Sequence, residues 1–390
     1  MPTNTAKTVM VLGAGRGQVG LYKAIRNLGH RSVAASIAGE YPGFQYADEI
    51  AIVDISDPEA VLAAAKEQHA DAVVTSCMDT AMQSLGRVVD TLGLPGPSEA
   101  SSRLCFDKRA LKETLSDHDV PSARYRVIGS PSELIGIADE FGLPLVLKLS
   151  HSQGSAGVFI CETLCNACEK AEEILAEEGF CLVEEYLGGI EFGAQAIVSN
   201  GDVVFIQAHG DLMTGGANPK PYIHYYPFEH QELVNEAVCL GRKAIAACGF
   251  DNCAVNIDYR GGAEGLCILE LTGRAGANGL PELTGELLGV DYYELIVRIA
   301  LGEAIGDIAP SRRKALASEM VYADGYRCNG YSPIRCIDPN IRSTILFASA
   351  RTEDAGQCIG QIVAAGNALS DCTSALVAER ERLIERLSSL

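Results

Sequence analysis

Hydrophobic and polar positions alternate along this chain in two periods, and the period changes with the region. Up to about residue 100 short apolar runs are separated by helix-period stretches. "TVMVLGAG" reads as a strand into a glycine turn and "GLYKAIRNLGH" as a helix ending at Gly29. "RSVAASI", "EIAIVD" and "ADAVVTS" read as strands. "DPEAVLAAAKEQH" reads as a helix with Asp57 at its N-cap and Pro58 at its first position, and "DTAMQSLGRVVDTLG" as another helix. Strands alternating with helices predict a doubly wound, parallel α/β sheet. The Pro/Gly/Ser-rich stretch "LPGPSEASS", residues 94–102, marks its end.

The next block has another character. "DKRALKETLSDHD" and the capped "SPSELIGIADEFG" predict helices, "LPLVLKLS" a strand ending at Lys148, and "HSQGSAGVFIC" a Gly/Ser-rich turn into a further strand. "FCLVEEYLGGIEFGAQAIVSNGDVVFIQAHG" predicts three strands, the last two joined at "SNGD". "HQELVNEAVCLGRKAIAACG" predicts a long helix, and "CAVNIDYRGGAEGLCILEL" a second hairpin. This block is α+β with antiparallel pairing. From about residue 309 short strands ("ASEMVYADGYRC", "STILFASA", "CIGQIVAAG") lead to a closing helix. The domains expected are therefore 1–105, 106–308 with a flap at about 122–186, and 309–390.

Charge narrows the function. Lys+Arg 31 against Asp+Glu 51 gives a net −20, which argues against nucleic-acid and anionic-membrane partners, since phosphate surfaces need a basic face. A few lysines inside a cleft can still serve a nucleotide. No apolar run reaches the length of a membrane span, and "MPTNTAKTVMVLGAG" lacks the pattern of a signal peptide, so a cytoplasmic location is expected. The 14 cysteines are then expected as free thiols. "CETLCNAC" has a spacing also used for iron–sulfur clusters, but it continues as a plain amphipathic helix. Cys161 is expected to end a strand, with Cys165 and Cys168 on a buried helix face.

"VLGAGRGQVG" is half of a dinucleotide fingerprint. Gln18 stands where the third glycine belongs, and "RSVAASI" carries no acidic end. A tight turn, a small-anion site at the helix start and a dinucleotide site remain open for it. The middle block holds a stronger set. Lys108, and Lys148 beside its small-residue turn, can bring cations and amides to phosphate oxygens. Asp258 and Glu270 lie on the two arms of a hairpin, where period-2 alternation can set them face to face. Facing carboxylates repel unless a cation lies between them, and Mg²⁺ takes such carboxylates together with phosphates.

In order and spacing these motifs resemble the ATP-grasp superfamily, in its biotin-carboxylase-like branch, from about residue 8 to about residue 375. The resemblance implies a Rossmann-like N-terminal domain, an ATP-grasp central domain and a small C-terminal α+β domain. It implies that Lys108 and Lys148 contact ATP phosphates, with "HSQGSAGV" and Ser155 closing over them. It implies that Glu184, Glu185 and the backbone at Leu187 read adenine, that Glu191 faces the ribose, and that Asp258 and Glu270 hold Mg²⁺ or Mn²⁺. Arg274 would stabilise the transferring phosphoryl group. The family pattern Glu-x-Asn-x-Arg has Thr272 in place of its metal-binding asparagine, which implies a looser ion. The expected reaction joins a small carboxylate, activated as an acyl phosphate, to an amine. The substrate side is expected at Asp79, at Asn278 in "GANGLPEL", and at Lys220 and His224 in an acceptor loop, residues 208–227. Rivals are a bicarbonate-using carboxylase and a regulatory protein with a degraded site. Family analogy implies a homodimer.

Overall fold

A computed structural model describes residues 6–151, 157–214, 221–262, 265–311, 314–353 and 355–387. The N-terminal block contains β1 (Thr8–Leu12), α1 (Val19–Asn27), β2 (Arg31–Ser36), β3 (Glu49–Ile52), α2 (Pro58–Glu67), β4 (Ala72–Val74) and α3 (Met82–Leu92). Its sheet runs in the order β3-β2-β1-β4 and every pairing is parallel. Asp57 caps α2 by accepting from the amides of Glu59 and Ala60, as the Asp-Pro pair predicts. The stretch expected as a plain boundary contains a further helix, α4 (Glu99–Leu104). Ser98 starts it by accepting from the Ser101 amide, a cap that outweighs the Pro/Gly-rich surroundings.

The glycine turn after β1 is a packed corner. Gln18 is buried, and its amide donates to the Ser76 carbonyl, so it fills the room that a third glycine would leave. Gly17 lies against Cys77, where a Cβ would stand 2.8 Å from the cysteine Cβ.

Next comes α5 (Lys108–Asp117), whose Ala110, Leu111 and Leu115 share one hydrophobic cluster with Val255 and Leu271. The stretch expected as a flap comprises β5 (Tyr125–Ile128), α6 (Leu134–Phe141), β6 (Leu145–Lys148), β7 (Val158–Cys161), α7 (Leu164–Glu178) and β8 (Cys181–Glu185). Its sheet is antiparallel in the order β5-β8-β6-β7. Cys161 ends β7 and is buried, but Cys165 is exposed and Cys168 only half-buried. The expectation of two buried thiols fails because Ala167, Ala171 and Ile174 make the inner face of α7. All of the cysteines are free thiols.

The core adds β9 (Ile190–Ser199), β10 (Asp202–Met213), β11 (Pro221–Tyr226), α8 (Gln231–Cys248), β12 (Cys253–Gly262), β13 (Gly265–Thr272), α9 (Leu280–Leu288) and α10 (Tyr292–Ala300). Asn200 and Gly201 both take positive φ at the β9–β10 turn, as that hairpin requires. The C-terminal block supplies β14 (Ala315–Ala323), β15 (Tyr326–Arg327), β16 (Ser332–Ile334), β17 (Ile341–Leu346), β18 (Ala350–Arg351), β19 (Gln357–Gly366) and α11 (Leu369–Leu387). One nine-stranded antiparallel sheet, in the order β13-β12-β9-β10-β11-β14-β19-β17-β16, crosses both blocks. The region expected as an acceptor loop is largely β10 and β11, paired antiparallel. Its polar residues alternate with Leu212, Ile223 and Tyr225 at strand period, which a reading for turns overlooks.

The parallel sheet and the core meet through α1 and α10. At Gly20 a Cβ would fall 2.2 Å from the Tyr293 ring. Alanine improves helix propensity by about 1 kcal/mol, but overpacking a buried contact costs about 1–3 kcal/mol, and the clash wins. Gly20→Ala is expected to lower the thermal midpoint, read by calorimetry; an unchanged or raised midpoint would contradict this packing.

Candidate active site

Asp258 on β12 and Glu270 on β13 are register partners, so their side chains share one face of the sheet. Burial and the like charges of Glu270, Asp211 and Glu191 push the Asp258 carboxyl well above its ordinary range, with Arg274 opposing. Glu270 is also raised, by burial first and by Asp79, while Lys108, Arg274 and Lys148 act the other way. A carboxylate pair held in this state fits a divalent cation, which would remove the repulsion and supply oxygen coordination.

The lysines come from α5 and from β6. Lys148, at the end of β6, bonds Glu184 Oε2 at 2.8 Å, and Lys112 approaches Glu184 Oε1 at 3.3 Å. All three side chains are almost wholly buried. Burial alone would raise Glu184; the two ammonium groups outweigh it and hold the carboxyl below its ordinary value. Lys108 starts α5, one helical turn before Lys112, and is lowered by burial against the pull of Glu270. The Glu184 side chain is thus a neutralising partner for lysines. Glu185 accepts from the Arg124 amide and from Arg124 Nε, both at 2.7 Å. An adenine at this hinge would therefore meet the backbone of residues 185–187, since both glutamate side chains are engaged. Leu187 lies half-buried just past β8. Glu191 pairs with Arg260 at 2.6 Å.

Arg274 and Asp79 find each other. Nε and Nη2 of the guanidinium reach the two carboxylate oxygens at 2.7 Å each, a bidentate fork between the core and the parallel domain. The fork is reinforced by a parallel bridge between Ser76 and Ala275. Asp79, expected to face substrate, faces Arg274. Asn278 takes a left-handed φ of 57°, and its carbonyl accepts from Ser318. Ser155 and Lys220 lie outside the described residues, as do 152–156 of the flap turn.

Two amides escaped the sequence reading. The Gly276 amide donates to Gln195 Oε1 at 3.0 Å, Gln195 Nε2 to Asn256 Oδ1 at 2.6 Å, and Asn256 Nδ2 to Asp258 Oδ1 at 3.2 Å. Because the first donor is a backbone N–H, the direction of the whole relay is fixed. Asn256 is the register partner of Thr272, whose buried hydroxyl has no hydrogen-bond partner among the described residues. The signal for Asn256 was its place two residues before Asp258, on the same face. His209 and Asp211 escaped too, because their strand was read as a loop. His224 lies in β11 and is buried; it bonds Asp211 through Nδ1 at 2.5 Å.

With this geometry in hand, the chain can be compared with known proteins. Residues 106–218 match the family model for the phosphoribosylglycinamide synthetase ATP-grasp (A) domain. The chain is similar to a solved phosphoribosylglycinamide synthetase from Anaerococcus prevotii, at 31% identity and a TM-score of 0.80, covering 96% of this chain and 97% of that one. The chain belongs to the ATP-grasp superfamily. A phosphoribosylamine–glycine ligase of Streptococcus pyogenes is 30% identical over 200 residues, 47% of each chain. The chain spans about half the length of the curated relatives it matches. At 20% identity and a TM-score of 0.76, the biotin carboxylase domain of Hydrogenobacter thermophilus 2-oxoglutarate carboxylase shares the fold, covering 93% of this chain and 86% of that one; it was solved with MgADP and bicarbonate. No helix among the described residues is long and apolar enough to cross a membrane.

Glu184→Gln leaves two buried ammonium groups without their carboxylate and is expected to cost about 3–5 kcal/mol, as removal of one partner of a buried pair does. Because the folded carboxyl is held low, this stabilisation is present above the unfolded value near ~4.3 and is lost as pH falls through the folded value. Urea unfolding of both proteins at pH 7 and at pH 3 reads it; a gap that does not shrink in acid would refute the charge assignment.

Proposed function

We propose that this ATP-grasp protein is an ADP-forming carboxylate–amine ligase. The observation that carries the reading is that Lys108 and Lys148 both act on Glu270, which faces Asp258 across the β12–β13 hairpin. The full-length likeness to a phosphoribosylglycinamide synthetase supports it. The substrate acid is a small carboxylate such as an amino acid.

In this reading Lys108 and Lys148 neutralise phosphate oxygens of ATP, and Asp258 and Glu270 hold Mg²⁺. Mg²⁺ held by these two carboxylates would supply positive charge to offset the negative charge of the phosphates. The substrate carboxylate attacks the γ-phosphorus, the bond to ADP breaks, and an acyl phosphate forms. The amine then attacks the acyl carbon, loses a proton, and phosphate departs. Arg274, its Nε and Nη2 locked on Asp79, keeps Nη1 on the Ala275 carbonyl at 3.0 Å. It orders the loop that carries Asn278 beside the reacting groups, so its part is positioning and local positive charge. The Gly/Ser-rich stretch after Lys148 would cover the phosphates and exclude water.

Phosphate release from ATP and Mg²⁺ is expected to require two substrates together in a screen of amino-acid pairs. Release on bicarbonate alone would replace this reading with a carboxylase, and failure to bind ATP at millimolar Mg²⁺ in a calorimeter would remove both. Thr272→Asn restores an amide oxygen beside the carboxylates and is expected to lower the Mg²⁺ concentration needed for half-maximal turnover. Unchanged Mg²⁺ dependence and unchanged turnover would show that this strand is wrongly matched to the family pattern.

A further inference from the structure

Beyond the Asp258–Glu270 pair, the same sheet carries a second cluster with a different set of donor atoms. β10 presents His209 and Asp211 two residues apart on one face, and β11 sets His224 directly opposite Asp211. Both Nδ1 atoms converge on a single oxygen, Asp211 Oδ1, at 2.9 Å and 2.5 Å. The imidazole planes stand 84° apart with centroids at 5.3 Å, so the rings approach from different directions. Both side chains are at least nine-tenths buried, and both Nε2 atoms lack any hydrogen-bond partner among the described residues. The Nδ1 atoms and the Asp211 carboxylate bring one donor from each of the three residues within 4.8 Å of one another, close enough to share one ion.

The location adds to this. His209 is the register partner of Gly193, and Gly193 is the register partner of Asp258. A Cβ at Gly193 would stand 2.5 Å from His209 Nε2, so glycine is what lets the ring lie there. The cluster therefore begins one strand away from the facing carboxylates, and Asp211 adds its charge to the field on Asp258 and Glu191. The acidic surroundings favour a cation as the occupant over an anion.

We propose that His209, Asp211 and His224 form a distinct site for a first-row transition-metal dication of the Zn²⁺ or Co²⁺ type. Two imidazoles and one carboxylate are the donors such ions prefer, whereas Mg²⁺ prefers the all-oxygen pair at Asp258 and Glu270. Ligands around Zn²⁺ lie at about 2.0–2.2 Å from the ion, so neighbouring donors stand roughly 3.3 Å apart. Each histidine nitrogen then has to withdraw from Asp211 by less than about 1 Å, within reach of side-chain rotation. Three protein donors leave a fourth position for water or substrate. Two cations of different hardness would occupy adjacent parts of one sheet face.

The test is a titration of the nucleotide-free, Mg²⁺-free full chain with Co²⁺ and with Zn²⁺, followed by calorimetry and by the visible spectrum of Co²⁺. The expected result is one site per chain with the spectrum of nitrogen and oxygen ligands. His224→Gln, and separately His209→Gln, should weaken it by at least about tenfold, while Asp258→Asn with Glu270→Gln leaves it in place. Far-UV circular dichroism melting shows whether each variant is folded. Because His209 is the more deeply buried, His224→Gln decides the matter if His209→Gln does not fold. Unchanged affinity in a folded His224→Gln variant overturns the proposal. So does loss of binding in the carboxylate double variant, or the intense charge-transfer band of Co²⁺ on a thiolate such as the exposed Cys165 or Cys239.

Discussion

Everything in the cleft depends on two carboxylates being forced to face each other. Asp258 and Glu270 are register partners on adjacent antiparallel strands, and neither can turn away without breaking the alternation that buries Ile257, Tyr259 and Leu271 behind them. Their mutual repulsion, sharpened by burial, has to be met by positive charge. No one part of the chain provides it. Lys108 comes from α5, Lys148 from the end of β6, and Arg274 from the loop beyond β13. A charge problem set by one hairpin thus requires the flap and the core to meet at one place. The Asp79–Arg274 fork brings in the parallel domain as well.

The same logic explains why two of the lysines have their own carboxylate. Lys112 of α5 and Lys148 of β6 are buried together, and without Glu184 between them the interior would carry two uncompensated ammonium groups. With Glu184 in place the net charge they present to the cleft falls from two positive to one. Lys108 then supplies the remainder opposite Glu270. The arrangement is suited to a strongly anionic guest whose charge is shared by a divalent cation. It also accounts for a chain of net −20 holding its positive charge where it matters.

Much of this was legible because strand alternation is a strict rule. Facing carboxylates followed from "NID" and "LEL" on two arms of one hairpin, and the capped helix after Asp57 followed from Asp-Pro. What escaped had no local signature. Lys112 is one more lysine in a charged helix until β8 brings Glu184 over it. Gln195 and Asn256 are ordinary polar strand residues until the Gly276 amide reaches Gln195 across 81 positions and Gln195 in turn reaches Asn256. The pairing of β10 with β11 was obscured by the Gly- and Pro-containing sequence between them, which dominated the reading of its flanks. Asp79 and Arg274 were each legible as site residues, but not as partners, since nothing local encodes a contact across 195 residues.

Thr272 and Asn256 raise a last question of chemistry. An asparagine is missing from one strand and present directly across from it, which invites the idea that the ligand has simply moved. The hydrogen bonds argue against that. The Gly276 N–H can only donate, so Gln195 must turn its oxygen toward Gly276 and its NH₂ toward Asn256. Asn256 must then turn its oxygen toward Gln195 and its NH₂ toward Asp258. An NH₂ group cannot coordinate a cation. Asn256 would therefore act on the proposed cation site through Asp258, holding one carboxylate oxygen and leaving the other for a ligand. A Cβ at Gly276 would lie 2.5 Å from the Asn256 oxygen, so the loop after Arg274 has to keep a glycine there for the relay to close. In this way the position of the Arg274 loop and the orientation of Asp258 are set by one chain of donors. The proposed cation site keeps two carboxylates, and the threonine hydroxyl opposite Asn256 has no partner among the described residues.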